Sequence, residues 1–385
     1  MLHTRAISAS RSSRGSRARS GIAIALGLAI ALTGCQTAGA GETQASGTTI
    51  ELPPLDSLTP VENPRAYEGA TTAVVGAPSV EPLTDTPEPT LPTVVQSKDR
   101  AGDLDVEVTD TSRVLAISLT GTLSDIIYSL GLSDQLVGRD ATTEFPGVED
   151  LPLVVRSGHD IEAESVLGLE PTLILTDLSI GGIDFVNTMR NAGIPVVVID
   201  RATDPESSVE ATRQIAAALG VESAADELNA AVDAAIAAKE DEVAALVPTD
   251  EAKVPRVAFL YVRGGSGIFY LFGEGSGVDS LFDSLGVVDV AEEVNWVGQR
   301  PMTDEALISM NPDIIIVMTK GLESTDGVDG LLEAQPSIAL TEAGKHRRII
   351  DIDDAKIFAS GPKTPDVIDA LARAIYAPDS LEQVA

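Results

Sequence analysis

The sequence predicts an α/β fold of two similar lobes, each with a mostly parallel sheet, joined by one long helix. Three observations support this fold class. Short apolar runs alternate with helical stretches, the same pattern occurs twice along the chain, and the segment between the two copies consists mostly of good helix formers. Strands of a parallel sheet that is covered on both faces form short, continuously apolar runs.

The first apolar runs define the N-terminal half of the folded body. RVLAISL begins at Arg113, PTLILTD at Pro171 and IPVVVID at Ile194, and each run predicts a strand. Between the first two lies TGTLSDIIYSLG, from Thr120, which predicts a helix with a threonine at its start and a glycine at its end.

A repeat relates this half to the next. ESVLGLEPTLILTD, from Glu164, and EALISMNPDIIIVM, from Glu305, align with each other without a gap. RVLAIS, from Arg113, and RVAFLY, from Arg256, align at almost the same offset along the chain. Two segments in the same order at nearly the same offset predict two similar lobes.

The segment between the copies, residues 222–247, contains no glycine or proline. As a helix it would span roughly 35–40 Å. The predicted organisation is a lipoprotein signal peptide over 1–34, a disordered Pro/Thr/Ala-rich tether over 35–108, an N lobe over 109–222, a linking helix over 223–248 and a C lobe over 249–385.

The N-terminus predicts export and anchoring. The first 34 residues carry five arginines and no acidic residue, and the stretch 21–33 is an uncharged apolar run. Such a run is too short to span a bilayer and fits a signal peptide. Leu32-Thr33-Gly34-Cys35 resembles a bacterial lipobox, which implies lipidation of Cys35, the only cysteine, at the extracytoplasmic face of the cell membrane. The alternative is an ordinary secreted protein with an incidental cysteine.

The charge of the chain excludes one class of partner. The formal net charge is −33 at pH 7. An acidic surface of this kind repels the phosphate backbone, so we expect no binding to DNA or RNA.

The architecture resembles the helical-backbone group, class III, of substrate-binding proteins of ABC importers, which carry metal chelates, corrinoids and haem. The resemblance covers about residues 112–378. GLSDQLVGRD, MTKGLES and the two repeated segments that begin at Glu164 and Glu305 carry it.

Two groups of residues are expected at the cleft between the lobes, because ligands of open α/β sheets bind outside the carboxyl ends of the strands. His159 lies in the polar stretch RSGHDIEAE, and Tyr261 and Arg263 lie in VAFLYVRGG. Tyr261 and Arg263 should share one face of their strand. A histidine and a tyrosine that face each other suggest axial ligation of haem iron, with a cation beside the phenolate.

GHDIEAE and YVRGG resemble the corresponding motifs of the actinobacterial hemin-binding lipoproteins of the HmuT type. The resemblance implies that His159 and Tyr261 bind the iron of ferric hemin (haem b) from opposite lobes and that Arg263 supports the tyrosine. It also implies an accessory methionine. Met318 is the best match for it, Met302 is the other candidate, and core packing is the alternative role of Met318.

Further residues are expected at the rim of the cleft. Arg156 either reaches a haem propionate or points to solvent. Arg300 aligns with His159 in the repeat and should border the cleft, where it could pair with a propionate. Glu164 and Glu305 open equivalent helices, where a carboxylate is favourable in any case. The resemblance also makes them symmetric candidates for docking onto a permease.

These features predict a haem carrier and not an enzyme. No G-x-x-x-x-G-K-[ST], H-E-x-x-H or G-x-S-x-G motif occurs in the chain. The expected partners are haem, an ABC permease with its ATPase, the membrane through a lipid anchor, and other surface haem-binding proteins. The alternatives are a ferric-siderophore or corrinoid carrier of the same transporter class, and a hydrolase on a similar frame.

Overall fold

The computed structural model describes residues 52–85, 87–155 and 160–381. All of these residues belong to one compact unit, Ser46–Ala385. Cys35 and the leader before it lie outside the described residues, so the lipid anchor stays a prediction.

An N-terminal extension, residues 52–108, precedes the two lobes. It contains the strands β1 (Thr71–Ala73), β2 (Thr93–Ser97) and β3 (Leu104–Val108). β2 and β3 pair with each other in an antiparallel two-stranded sheet.

The N lobe, residues 109–222, is built on three parallel strands in the order β4-β5-β6. The predicted strands are confirmed, and every residue in them is buried. The bounds are β4 (Val114–Ile117), β5 (Leu173–Thr176) and β6 (Val196–Val198), with the helices α1 (Thr122–Ser129), α2 (Ala163–Leu167), α3 (Gly182–Asn191) and α4 (Pro205–Ala218).

The linking helix is α5 (Glu222–Ala244), with 23 residues. It packs against α4 at its N-terminal half, where Leu228 and Val232 join the N-lobe core. At its C-terminal end Val243 joins the core of the C lobe. One helix of about 35 Å therefore lies against both lobes.

The C lobe, residues 249–381 of the described chain, has a sheet in the order β1-β12-β11-β7-β8-β10, with β9 paired to β7. Its strands are β7 (Arg256–Arg263), β8 (Ile268–Phe272), β9 (Val288–Asp289), β10 (Gln299–Pro301), β11 (Ile314–Met318) and β12 (Ile349–Ile352). Its helices are α6 (Val278–Leu285), α7 (Asp304–Met310), α8 (Thr319–Glu323), α9 (Gly327–Ala334), α10 (Pro336–Ala339), α11 (Glu342–Lys345) and α12 (Thr364–Tyr376).

The C-lobe sheet is mixed. β1, β12, β11, β7 and β9 run parallel to one another, as expected for the α/β class. β8 and β10 are antiparallel and extend the sheet beyond β7. Helices cover both faces: α6 and α12 lie over one core cluster, and α7 and α10 lie over the other.

The disordered tether was predicted over residues 35–108, and the structure corrects it over the described residues 52–85 and 87–108. β1 pairs with β12 and so belongs to the C-lobe sheet, and Leu55 is fully buried in the C-lobe core. Val95 and Val106 of the β2–β3 pair lie in the N-lobe core. These pieces are too short to form a core of their own, but they bury apolar side chains against lobes that are already folded. Frequent prolines interrupt the alternation of apolar and polar residues in this segment, so its sequence did not predict these strands.

Arg348 fastens the extension to the C lobe. Its side chain is fully buried and donates hydrogen bonds to Thr71 Oγ1 (2.7 Å) and to the carbonyl oxygens of Gly69 (3.3 Å) and Ala374. The guanidinium carbon lies 4.7 Å from the centre of the Tyr67 ring. Burial lowers the pKa of Arg348 to about 10.

A crossing segment, residues 353–363, follows β12 and brings the C lobe against the N lobe. Lys356 Nζ lies 2.6 Å from Glu144 Oε2, and Lys363 Nζ lies 2.9 Å from Asp125 Oδ1 on α1. Ser360 Oγ donates to the carbonyl oxygen of Ala202 at 3.0 Å. The lobes are thus joined by polar contacts as well as by α5.

Within the described ranges, no helix combines the length and the apolar character that crossing a membrane requires.

Candidate functional site

Tyr261 and Arg263 lie on the same face of β7, near its carboxyl end. Both side chains are half-buried. The Arg263 guanidinium carbon lies 4.4 Å from the centre of the Tyr261 ring, which is the geometry of a cation–π contact. The phenol and the guanidinium therefore form one unit at the carboxyl end of this inner strand.

Arg263 is held by the carboxylate of Asp354, which was not among the predicted site residues. Its Nη2 donates to Asp354 Oδ2 at 3.0 Å, and its Nη1 donates to the carbonyl oxygen of Val262 at 2.8 Å. Asp354 comes two residues after β12, which shares the parallel part of the sheet with β7. The acidic run that follows an apolar strand, IDIDD, was the available signal, because the carboxyl ends of parallel strands meet at one edge.

A second tyrosine lies next to the first. Tyr270 on β8 is the direct cross-strand partner of Tyr261, and directly opposed residues of an antiparallel pair point to the same side. The two ring centres are 6.5 Å apart and the rings are nearly perpendicular, at 88°. Tyr270 was not predicted as a site residue, because the sequence does not show that β8 pairs with β7.

The two candidate methionines lie on different faces of the C-lobe sheet. Met318 is the last residue of β11 and is 6% exposed. It belongs to the core cluster that contains Phe259, and Tyr261 packs against this cluster. Met302 follows β10 and packs against the cluster on the other face, which contains Leu260. Of the two, Met318 is the methionine on the side of Tyr261.

Arg300 is not brought together with Tyr261. It is exposed on β10 and pairs with Leu271, whereas Tyr261 pairs with Tyr270, one residue earlier on the same strand. Because side chains alternate along a strand, Arg300 points to the opposite face. Its Nε donates to the carbonyl oxygen of Val297 at 2.7 Å. The repeat, which predicted Arg300 at the rim of the cleft, contains no information on the antiparallel pairing of β10.

His159 and Arg156 lie outside the described residues, and their predicted roles remain predictions. The described chain resumes at Asp160, which borders a concavity of about 520 Å³ on the N lobe. The concavity is lined by Asp160, Ile161, Leu178, Ser179, Gly181 and Phe185, among others.

Leu178 gives this concavity an unusual backbone. Its φ is +62°, a left-handed conformation that is rare for a bulky residue. Beside it, the Asp177 carboxylate accepts hydrogen bonds from the backbone N–H and the hydroxyl of Ser179. Burial raises the pKa of Asp177, although these hydrogen bonds oppose the shift.

Glu164 and Glu305 are both exposed in the first turns of α2 and α7. The start of α7 is capped by Thr303, whose hydroxyl accepts the backbone N–H of Ala306 at 3.2 Å. Both residues are accessible from solvent, and their docking role stays a prediction.

The described part of the chain contains no cluster of three or more histidine, cysteine, aspartate or glutamate side chains arranged to hold a bare metal ion. At the end of β7 it offers a phenol and a guanidinium that is paired with the Asp354 carboxylate, next to the apolar core cluster that contains Phe259. Such a site suits a flat ligand with an apolar face better than a hydrated ion.

The chain belongs to the periplasmic binding protein family, whose model matches residues 117–355. The fold and the family together make it a substrate-binding protein and not an enzyme, as the sequence predicted.

Three individual proteins are similar to this chain over most of its length. The crystal structure of the heme-binding protein HmuT superposes with a TM-score of 0.72 at 35% identity, covering 82% of this chain and 99% of that one. The periplasmic heme-binding protein RhuT from Roseiflexus sp. RS-1, in apo form, gives a TM-score of 0.61 at 32% identity, covering 70% and 99%. An uncharacterized ABC transporter substrate-binding lipoprotein of Bacillus subtilis, YvrC, is 26% identical over 290 residues, which is 74% of this chain and 86% of that protein.

HmuT has also been solved as three single alanine variants. They replace a histidine, a tyrosine, and an arginine two positions after that tyrosine. Tyr261 and Arg263 have the same spacing in this chain.

Proposed function

We propose that this chain is a membrane-anchored haem-binding protein of an ABC importer, which captures ferric hemin between its lobes and delivers it to the permease. The observation that carries the proposal is the Tyr261–Arg263 unit at the carboxyl end of β7, with the guanidinium 4.4 Å from the ring centre. Heme-binding relatives at 32–35% identity support the same ligand class.

In this proposal the hemin is cargo, and its iron is bound by the Tyr261 phenolate on the C lobe and the His159 imidazole on the N lobe. Phenolate oxygen and imidazole nitrogen are both used as axial ligands of haem iron. Arg263 places its guanidinium against the ring of the phenol that would bind the iron. Arg156 is the candidate for a propionate, and Arg300 is left out because it lies on the other face.

The apolar neighbours of Tyr261 fit a porphyrin. Tyr270, Phe259 and Met318 lie on its side of the sheet and would exclude water from the iron. Met318 is also part of the core, so it would contact the ligand only with its exposed edge. Haem b is the expected form of the cargo.

Delivery needs the permease to recognise the loaded protein. We propose Glu164 and Glu305 as a symmetric pair of contacts for basic side chains of the permease. α5 and the polar contacts of the crossing segment limit relative movement of the lobes, so hemin release would need only a small opening. Lipidation of Cys35 would hold the protein at the extracytoplasmic face of the membrane.

The test is the visible spectrum of the purified protein with added hemin. Tyr261→Ala and His159→Ala should each shift the Soret and charge-transfer bands and raise the hemin dissociation rate by about tenfold or more, which corresponds to ~1.4 kcal/mol of binding free energy. His346→Gln and Tyr67→Phe are matched controls away from β7 and should keep the wild-type spectrum.

A protein that stays colourless with hemin but binds a ferric siderophore or a corrinoid would favour the alternative carrier. Wild-type spectra in both alanine variants would overturn the assignment of the ligands.

A further inference from the structure

We propose that Asp354 is a positioning residue for hemin binding: it holds Arg263 against the Tyr261 ring. This inference rests on the proposed function, and it assigns a role to a side chain from another strand end. Asp354 touches Arg263 and acts on Tyr261 only through it.

Arg263 needs such a partner. It is the last residue of β7, and its side chain is 30% exposed. A long, partly exposed guanidinium has many rotamers, and fixing one of them costs conformational entropy. The Asp354 carboxylate at 3.0 Å selects the rotamer that lies over the phenol ring. A charged hydrogen bond of this kind is stronger than a neutral one.

The side chain of Asp354 is itself fixed by its surroundings, so it can orient Arg263. Its side chain is only 12% exposed, and its Oδ1 accepts the backbone N–H of Lys320 at 2.9 Å. Asp353 closes the turn around it, because the Asp353 carbonyl accepts the N–H groups of Lys356 and Ile357. One carboxylate thus joins the end of β12, the start of α8 and the end of β7.

The charges of this arrangement also fit a binding site. The carboxylate partly neutralises Arg263, so the guanidinium can stay next to the apolar aromatic surface of Tyr261 without a full desolvation cost. The Asp354–Arg263–Tyr261 chain therefore presents the phenol in one orientation before hemin arrives. Pre-organisation of this kind lowers the entropic cost of binding.

The test compares Asp354→Asn, Arg263→Ala and the double variant. Asparagine keeps the size of the side chain and can still accept the Lys320 N–H, but it loses the charge that holds Arg263. We expect Asp354→Asn to move the charge-transfer band in the same direction as Arg263→Ala and to raise the hemin dissociation rate about three- to tenfold. The double variant should behave like Arg263→Ala alone, because Asp354 acts through Arg263.

Asp353→Asn is the matched control, since it alters the neighbouring exposed carboxylate of the same turn and should keep the wild-type spectrum. Additive effects in the double variant, or an unchanged spectrum in Asp354→Asn, would show that Asp354 only supports the start of α8 and would overturn the inference.

A second measurement does not depend on hemin. In the ligand-free protein, the aromatic ring should shift the NMR signals of the Arg263 side-chain protons upfield, and Asp354→Asn should abolish the shift. If wild-type protein failed to bind hemin, the proposed function would fall while this measurement still tested the positioning. A shift that survived in Asp354→Asn would refute the positioning itself.

Discussion

Ser118 of the N lobe and Tyr261 of the C lobe occupy equivalent positions in the repeat, at the carboxyl ends of β4 and β7. Their surroundings differ. β4 ends at Ile117, and Ser118 is fully buried, with its N–H donating to Asp140 Oδ2 at 3.0 Å. Tyr261 lies inside a strand that continues to Arg263 and is half-exposed.

The difference comes from β8. β7 runs on past the repeat because Tyr261 pairs with Tyr270 and Arg263 pairs with Ile268. The N lobe has three parallel strands and no antiparallel strand beside β4 within its described residues. The repeat thus gives each lobe an equivalent strand end. In the C lobe the antiparallel strand β8 lengthens β7, and this longer strand end carries aromatic and charged side chains.

The N-terminal extension also contacts the two lobes in different ways. Through β1 it joins the C-lobe sheet, whereas β2 and β3 form a separate sheet beside the N lobe. Arg348→Ala tests this difference and carries the largest expected effect. The substitution opens a cavity and leaves the carbonyl groups of Gly69 and Ala374 without their donor, so we expect the free energy of unfolding to fall by about 4 kcal/mol.

Urea unfolding measures that loss, and amide hydrogen exchange locates it. The amides of β1 should lose protection before those of β2 and β3. Arg347→Gln is the control, because Arg347 is exposed and its ion pair with Asp329 is worth less than about 1 kcal/mol. Equal loss of protection in β1 and in the β2–β3 pair would show that the extension is bound as one piece. The two parts of the extension would then differ in strand pairing but not in stability.

A second prediction concerns the contact between the lobes. Asp125 of the N lobe faces Lys363 of the C lobe at 2.9 Å, with Asp140 and Lys356 nearby. Burial raises the pKa of Asp125 to about 6, although Lys363 opposes the shift. The folded protein therefore binds this proton more tightly than the unfolded chain does, and its contribution to stability is full below about pH 4 and is lost as the pH rises through 6.

Asp125→Asn should remove this component. We expect the free energy of unfolding of the variant to fall less between pH 4 and pH 7 than that of the wild type, by up to about 3 kcal/mol. Asp241→Asn changes an exposed carboxylate on α5 and should leave the wild-type slope. Identical slopes for Asp125→Asn and wild type would mean that the lobe contact does not hold a protonated carboxyl in this range.

Much of the frame was predictable because it depends on local pattern. Continuous apolar runs located β4, β5, β6, β7 and β11, and the absence of glycine and proline located α5. The extension was missed because its strands of three to five residues are stable only against surfaces built from distant parts of the chain.

The candidate site was predictable in part. Alternation along one strand was enough to place Tyr261 and Arg263 on one face. Asp354 and Tyr270 could not be placed in the same way, because their proximity depends on which strands are neighbours in the sheet. The face on which Arg300 lies could not be predicted for the same reason, because it depends on the antiparallel pairing of β10 with β8.

The prediction with the smallest expected effect compares alanine substitutions of two glycines, one after β4 and one after β7. Gly121 follows β4 and Gly264 follows β7 at the equivalent position. A Cβ on Gly121 would lie 2.6 Å from the carbonyl oxygen of Thr142, and its φ of +73° already disfavours alanine. A Cβ on Gly264 would lie 2.3 Å from the methyl group of Thr325 and 2.8 Å from the carbonyl oxygen of Ser324.

Gly121→Ala should therefore cost about 2–3 kcal/mol of unfolding free energy and leave hemin dissociation unchanged, since the added methyl group would crowd the Thr142 carbonyl of the N lobe. Gly264→Ala should cost about 1–2 kcal/mol and also speed hemin dissociation, because the crowding begins next to Arg263. Removing the methyl group in Gly264→Ala/Thr325→Ser should restore part of both losses. If Gly121→Ala changed the hemin spectrum as much as Gly264→Ala did, the end of β4 would belong to the binding site after all, and the contrast between Ser118 and Tyr261 would be one of burial only.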